Sequence, residues 1–200
     1  MAPITQLSQL DPNGTYSYAD YLTWRLEESV ELIKGKIMAM SPAPSRRHQT
    51  VAGNLFLSLG SHFKHKQCNV YFAPFDVKLY DRRKSLRKDR EVFSVVQPDL
   101  CVICDKEKLT GQGCDGAPDW IIEILSPGNS RKEVRLKYDL YQESGVTEYW
   151  LVFPYEQIVQ QFVLDENGKY QLHALYPGNE IVAPYLFPEL QIDLNDVFAE

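Results

Sequence analysis

The segment IIEILSPGNSRKEVRLKYDLYQESGVTEYWLV, residues 121–152, decides the fold. It begins with an apolar strand, Trp120–Leu125, which Pro127 and Gly128 end. Apolar residues at helical spacing then predict a helix over Arg131–Ser144, which Gly145 ends. The next strand, Glu148–Phe153, is almost wholly apolar and is therefore expected at the centre of a sheet, covered on both faces.

The rest of the chain predicts further strands and helices around this strand–helix–strand unit. The predicted elements are a helix over Ser17–Leu26, a hairpin in VELIKGKIMAM around Lys34-Gly35, a helix over Ser45–Lys66, strands over Asn69–Tyr80 and Ser94–Cys104, and a β-meander over Gln157–Val197. The expected fold class is a mixed α/β (α+β) domain built around one sheet. We expect residues 15–200 to form this domain, with a β-rich C-terminal part, and residues 1–14 to be a mobile lead-in.

Two carboxylates stand among apolar residues of predicted strands. Asp99 lies in VVQPDLCVI, and Glu123 is flanked by isoleucine and leucine. A carboxylate in such surroundings is costly unless it is paired or binds a metal. Adjacent strands are about 4.8 Å apart, so two side chains on one face can hold a single cation. Two carboxylates and a backbone carbonyl suffice for Mg²⁺, which keeps several waters.

The predicted helix over Arg131–Ser144 carries one cation on its apolar side. Lys132 and Arg135 fall on the polar side, whereas Glu133 and Lys137 fall within the apolar arc. Glu133 has a local role in capping the helix after Ser130. A lysine that points toward a sheet must either extend to solvent or meet an acidic site, which makes Lys137 a candidate active-site residue.

The strings QPDL (97–100) and IIEILSP (121–127) resemble the two core elements of a PD-(D/E)xK nuclease. The lysine that normally follows the glutamate is replaced by Leu125, and Lys137 is placed to substitute for it. Most of the chain resembles the Uma-type restriction endonucleases, through VELIKGKI, SPAPSRRHQ, FDVKL, QPDL, IIEILSPGNS and KYDLYQESGVTEYWLV.

This resemblance implies a restriction-endonuclease-like fold, a mixed β-sheet flanked by helices, with six residues around one cleft. They are Glu31, His48, Asp76, Asp99, Glu123 and Lys137. It implies that Asp99, Glu123 and the carbonyl of Ile124 hold Mg²⁺ or Mn²⁺, that Lys137 acts on the attacking water or the transition state, and that Glu31 supports a second metal or its waters. His48 fits a core histidine equally well, and Asp76 fits a solvated aspartate.

The implied substrate is DNA, and cleavage of both strands favours a homodimer with contacts through aromatics such as Tyr155 and Phe162. The net charge of -6 opposes a nucleic-acid binder, although residues 82–90, RRKSLRKDR, form a basic segment. Two alternatives remain open: a catalytically silent nucleic-acid-binding domain of the same fold, and a structural or interaction module whose buried charges pair.

The location expected from the sequence is the cytoplasm. No long uncharged apolar run predicts a membrane span, and the N-terminus lacks the pattern of a secretory signal. The chain has four cysteines, of which Cys101 and Cys104 form a CxxC. Because residues three apart on a strand point to opposite faces, this pair is not expected to share zinc. All four are predicted to be free thiols.

Overall fold

A computed structural model describes residues 3–40, 44–80 and 92–200 of the chain. Its helices are α1 (Tyr18–Tyr21), α2 (Arg46–Phe63), α3 (Arg131–Ser144) and α4 (Leu194–Phe198). Its strands are β1 (Val30–Ile33), β2 (Lys36–Ala39), β3 (Asn69–Phe72), β4 (Asp76–Leu79), β5 (Ser94–Val96), β6 (Leu100–Ile103), β7 (Leu109–Thr110), β8 (Gly113–Asp115), β9 (Trp120–Ile124), β10 (Glu148–Phe153), β11 (Ile158–Leu164), β12 (Tyr170–Pro177), β13 (Ile181–Val182) and β14 (Ile192–Asp193). The basic segment 82–90 and most of the SPAP loop lie outside the described residues.

The strands form two six-stranded mixed sheets and a small two-stranded one. The first sheet has the order β2-β1-β5-β4-β8-β7, and the second has the order β12-β11-β10-β9-β6-β3. Each has one parallel pair, β4 with β8 and β9 with β10, and its other pairs are antiparallel. The predicted mixed α+β class is confirmed, but the prediction of a single sheet is wrong.

The second sheet arises because two predicted strands each divide between the sheets. The alternating run Asn69–Tyr80 breaks around Pro74, which has no N–H for a sheet ladder; β3 joins the second sheet and β4 the first. The run Ser94–Cys104 breaks around Pro98, which has no N–H for a sheet ladder, and divides between β5 and β6 in the same way. The chain therefore passes between the two sheets at these points.

Apolar clusters cover both faces of the second sheet. On one face, α2 and α4 pack against Trp120 and Trp150. On the other face, α3 packs against Tyr149, and this cluster also takes in residues of the first sheet such as Val77. The strand β10 is therefore covered on both sides, as its sequence predicts.

The ends of α2 and α3 follow from local capping. Ser45 and Ser130 each accept a hydrogen bond from a backbone N–H in the first turn of the helix that follows them. Gly145 adopts the left-handed conformation with φ of 86° at the end of α3. The hairpin around Lys34-Gly35 also forms as predicted.

The two ends of the chain differ from the sequence prediction. The N-terminal helix covers only Tyr18–Tyr21, and the short helix α4 was not predicted. Leu10 is buried in a cluster with Trp24, which anchors the segment before residue 15. The mobility of residues 1–14 and the extent of the domain stay predictions. No helix in the described ranges has the length and apolar character needed to cross a membrane.

The cysteines only partly match the prediction of free thiols. Cys101 and Cys114 are free and buried. Cys68 and Cys104 form a disulfide, so the prediction is wrong for these two. They directly flank the antiparallel pair β3–β6, in which Asn69 lies opposite Ile103. Cys101 and Cys104 contact different clusters on opposite faces of the sheet, so the two residues of the CxxC do not converge.

Candidate active site

A cavity of about 430 Å³ lies where the ends of β6 and β9 meet the N-terminal turns of α2 and α3. The residues that line it include all those predicted from the sequence as catalytic or metal-binding: Glu31, His48, Asp99, Glu123, Ile124 and Lys137. Asp76 does not line the cavity. It is joined to it through Gln97, whose side-chain amide donates a hydrogen bond of 2.7 Å to Asp76 Oδ1.

Lys137 lies between two buried carboxylates. Its Nζ is 3.0 Å from Oε1 of Glu31 on β1 and 3.0 Å from Oε1 of Glu123 on β9. All three residues are buried. Because Lys137 is in the second turn of α3, it ties the helix to one strand of each sheet.

The charges of this group do not balance. Burial raises the pKa of the Glu123 carboxyl to about 7, because Lys137 offsets the loss of solvation only in part. Burial by itself would lower the pKa of Lys137, but the carboxylates of Glu123 and Glu31 outweigh it and hold that pKa above its ordinary value. The two pKa shifts have one explanation. Two carboxylates stabilise the charged form of Lys137, whereas Glu31 and Glu123 have only one ammonium group between them. The cavity therefore holds more carboxylates than Lys137 alone neutralises.

Asp99 lies just before β6 rather than in the middle of a long strand. Its Oδ2 accepts a hydrogen bond of 2.7 Å from the backbone N–H of Ile124. In the antiparallel pair β6–β9, Leu100 lies opposite Ile122. Continuing this register by one pair places Asp99 opposite Glu123, where facing side chains share one side of the sheet. Both carboxylates thus reach the same cavity.

His48 connects α2 to this group. Its Nε2 is 3.2 Å from Oδ1 of Asp99. Burial would lower the pKa of His48, but the contact with Asp99 outweighs it, with smaller contributions from the Glu123 carboxylate and the backbone of Ile124, and the net effect is a raised pKa. Its Nδ1 is buried and has no hydrogen-bond partner among the described residues. The ring therefore contacts Asp99 rather than serving only as core packing.

The cavity offers one set of oxygen donors that suits a hard divalent cation. In the described parts of the chain, no three side chains of His, Cys, Asp and Glu converge as metal ligands, and Lys137 occupies the space between Glu31 and Glu123. The hydrogen bonds to Glu123 all reach Oε1, and within the described ranges none reaches Oε2. Continuing the register of β6 and β9 also places Ile124 opposite Pro98. Because proline has no N–H, Pro98 cannot donate a sheet hydrogen bond to the carbonyl of Ile124. Two carboxylates, this carbonyl and waters make a donor set of the kind that Mg²⁺ uses.

Two tyrosines belong to this site although the sequence analysis did not select them. Tyr141, one turn after Lys137, donates its hydroxyl to Oε1 of Glu123. Tyr149 lines the cavity and is fully buried, and its hydroxyl has no partner among the described residues. Tyr141 stands in the apolar arc of α3 and looks like a core residue; only its spacing of four from Lys137 signals a shared direction.

Comparison with known proteins gives one family and a fold match. A crystal structure of a protein from Anabaena variabilis, titled a "putative nuclease belonging to DUF820", superposes with a TM-score of 0.69 at 21% sequence identity. The match covers 92% of this chain and 98% of that one, which shows a common fold. No curated protein matches the chain. The Uma2 family, described as "Putative restriction endonuclease", matches residues 18–195, so the chain belongs to this family.

Proposed function

We propose that the chain is a divalent-metal-dependent endonuclease that hydrolyses phosphodiester bonds in DNA. The observation that carries the proposal is the convergence of Asp99, Glu123 and Lys137 on one cavity. The three come from a pre-strand loop, a strand and a helix that are far apart in sequence, and each is costly to bury alone. Membership of a family described as restriction endonucleases supports the same reaction class.

Asp99, Glu123 and the carbonyl of Ile124 are the proposed ligands of Mg²⁺ or Mn²⁺. When bound, such an ion lowers the pKa of a coordinated water and offsets charge on the scissile phosphate. The hydrogen bond from the N–H of Ile124 fixes the Asp99 carboxylate beside this carbonyl. His48 holds the other oxygen of Asp99, which restricts its rotation.

Lys137 supplies the cation that the strand position Leu125 lacks. An ammonium has three donors, and in the described structure Glu31 and Glu123 take two of them. The third donor is available to the attacking water or to a phosphate oxygen in the cavity. Glu31 then acts mainly by holding Lys137, and its own carboxylate is also fixed by the backbone N–H of Gln97 at 2.8 Å.

The proposed substrate and assembly are duplex DNA and a homodimer, since cleavage of both strands needs two sites. Two aromatic residues were predicted to contribute to a dimer contact, and Tyr155 is exposed. Phe162 is instead partly buried among Tyr138, Tyr149 and Tyr170, so it does not offer the exposed contact that was predicted. Light scattering should give about twice the chain mass of 23.1 kDa. A mass of one chain at every concentration would contradict the dimer.

The test of the function is nicking and linearisation of supercoiled plasmid by purified protein. Cleavage should require Mg²⁺ or Mn²⁺, stop with EDTA and return when metal is added in excess. Asp99→Asn should abolish it, whereas Glu166→Gln, which neutralises an exposed carboxylate, should leave it unchanged. Cleavage by Asp99→Asn at the wild-type rate would contradict the proposed site.

The second candidate function is a structural or interaction module. It is favoured by the contacts of Lys137 with Glu31 and Glu123, which already pair much of the buried charge without a metal. A silent nucleic-acid-binding domain is the related third possibility. Binding of DNA without metal-dependent cleavage would select the silent domain, and neither binding nor cleavage would select the structural module.

A further inference from the structure

A second concave surface adjoins the candidate active site. This groove has a volume of about 670 Å³ and lies between α3 and the strands β10 and β11. It shares Leu125, Asn129 and Val134 with the lining of the first cavity. A ligand in the groove would therefore lie directly beside Asp99, Glu123 and Lys137.

The rim of the groove is positively charged although the whole chain has a net charge of -6. Arg131, Arg135 and Lys169 line it, against one carboxylate, Asp139, which forms an ion pair of 3.0 Å with Arg135. Arg131 is the first residue of α3, where the helix dipole disfavours a cation, so its charge does not serve the helix. An anionic ligand is the chemistry that this rim fits.

The floor of the groove is apolar and carries two amides. Leu151 and Phe153 of β10 form part of it, and Gln142 and Gln160 place side-chain amides beside them. A paired duplex offers such a floor no exposed base faces, because its bases are stacked and paired. An unpaired strand offers phosphates for the rim, base faces for the apolar floor and base edges for the amides.

We propose that this groove binds an unpaired segment of nucleic acid next to the scissile phosphate. The inference rests on the proposed nuclease function and extends it, because it assigns the duplex substrate a locally unpaired stretch beside the cut position. Arg131 and Lys169 contact phosphates on the rim, and the bases lie against the half-buried aromatic rings of Phe153 and Tyr138.

The test measures binding rather than cleavage. Fluorescence anisotropy in EDTA compares a short fluorescein-labelled single-stranded oligodeoxynucleotide with the blunt duplex of the same sequence, over a series of salt concentrations. The double variant Arg131→Gln/Lys169→Gln, called the groove variant, removes two cations that line the groove. The matched control, Lys132→Gln/Lys106→Gln, removes two exposed cations that do not line the groove, so both proteins have the same net charge.

The expected result is that the wild type prefers the single strand and that only the groove variant loses affinity. A plot of the logarithm of the association constant against the logarithm of the salt concentration has a negative slope. In the groove variant this slope should become less negative by about 1.4, because two phosphate contacts to a single strand are lost. In addition, Gln160→Glu should weaken binding, because it places a carboxylate on the groove floor, whereas Gln160→Leu, which removes only the amide, should weaken it less. Equal losses in the groove variant and its control, or a preference for the blunt duplex, would overturn the proposal.

A second substrate separates this proposal from the proposed function. Metal-dependent hydrolysis of bis(4-nitrophenyl) phosphate needs the active-site cavity. This diester is too small to reach the groove as well. If the wild type hydrolyses this diester but binds oligonucleotide independently of Arg131 and Lys169, the nuclease stands and the groove proposal fails. If neither plasmid nor the diester is hydrolysed, the proposed function fails, and the anisotropy result still decides the groove.

Discussion

The hydroxyl of Tyr141 donates to Oε1 of Glu123, the same carboxylate oxygen that contacts Lys137. Two donors on successive turns of α3 therefore fix one buried oxygen. The other oxygen, Oε2, has no hydrogen bond within the described ranges, and it is the one proposed to bind metal. Tyr141 thus restricts the rotation of the Glu123 carboxylate together with Lys137.

Tyr141→Phe should lower the cleavage rate while the protein still folds. The ring keeps its packing, but Glu123 loses a donor, so its carboxylate is held less firmly. We expect a stability loss of about 1–2 kcal/mol, typical of an unmade buried hydrogen bond. Thermal unfolding and plasmid cleavage measure the two effects. Tyr170→Phe is the control, since its buried hydroxyl donates to the backbone carbonyl of Val146 and lines neither the cavity nor the groove. Equal cleavage by both variants would argue against this role.

The sequence predicts the segment 121–152 closely because local signals mark its ends. Helix α3 has the predicted limits since Ser130 caps its start and Gly145 its end. The division of Asn69–Tyr80 between two sheets was missed, because alternation continues across Pro74 with the same period on both sides. Periodicity reports which face a residue is on and not which sheet the strand joins.

Some residues of the site can be recognised in the sequence, whereas others become apparent only in the fold. Glu123 and Lys137 are charges in apolar surroundings and stand out in the sequence. Glu31 is recognisable only through the family string VELIKGKI, because no local pattern shows that β1 reaches α3. Tyr141 is hidden, since a buried tyrosine in an apolar arc looks like packing. Its role depends on a contact across 18 residues that only the fold creates.

Reduction of the disulfide Cys68–Cys104 should destabilise the protein. The bond closes a loop with a sequence separation of 36, for which chain entropy predicts a contribution of about 4 kcal/mol. Dithiothreitol should therefore lower the unfolding temperature of the wild type but not that of Cys68→Ser/Cys104→Ser. Thiol titration of the unfolded, unreduced protein should find the two thiols of Cys101 and Cys114. Four thiols before reduction would show that the bond does not form, as a reducing cytoplasm would favour.

Mn²⁺ should raise the unfolding temperature of the wild type, because a ligand that binds only the folded state stabilises it. Glu123→Gln and Asp99→Asn should each lose most of this rise, since each removes one of the two proposed carboxylate ligands. Glu166→Gln is the control, because it neutralises an exposed carboxylate away from the cavity. Differential scanning fluorimetry with and without EDTA measures the shift. A full rise in both site variants would place the metal elsewhere.

Lys137 provides the last prediction, because we propose that it replaces the cation that Leu125 cannot supply. Its alternatives on α3, Lys132 and Arg135, are exposed and point away from the cavity. Lys137→Ala should lower cleavage by roughly 10²–10³, the loss seen when one electrostatic donor is removed from an active site. Lys132→Ala should be nearly silent in the same assay.

The contacts of Lys137 add an effect on folding. Its removal leaves the carboxylates of Glu31 and Glu123 buried together without a cation, and breaking a buried ion pair costs about 3–5 kcal/mol. A loss of cleavage could then reflect unfolding, so the double variant Lys137→Met/Glu31→Gln is needed, since it removes the cation and one carboxylate together. This variant should recover stability in thermal unfolding but not cleavage. If it cleaves plasmid at the wild-type rate, Lys137 serves only to pair buried charge, and the structural module gains support.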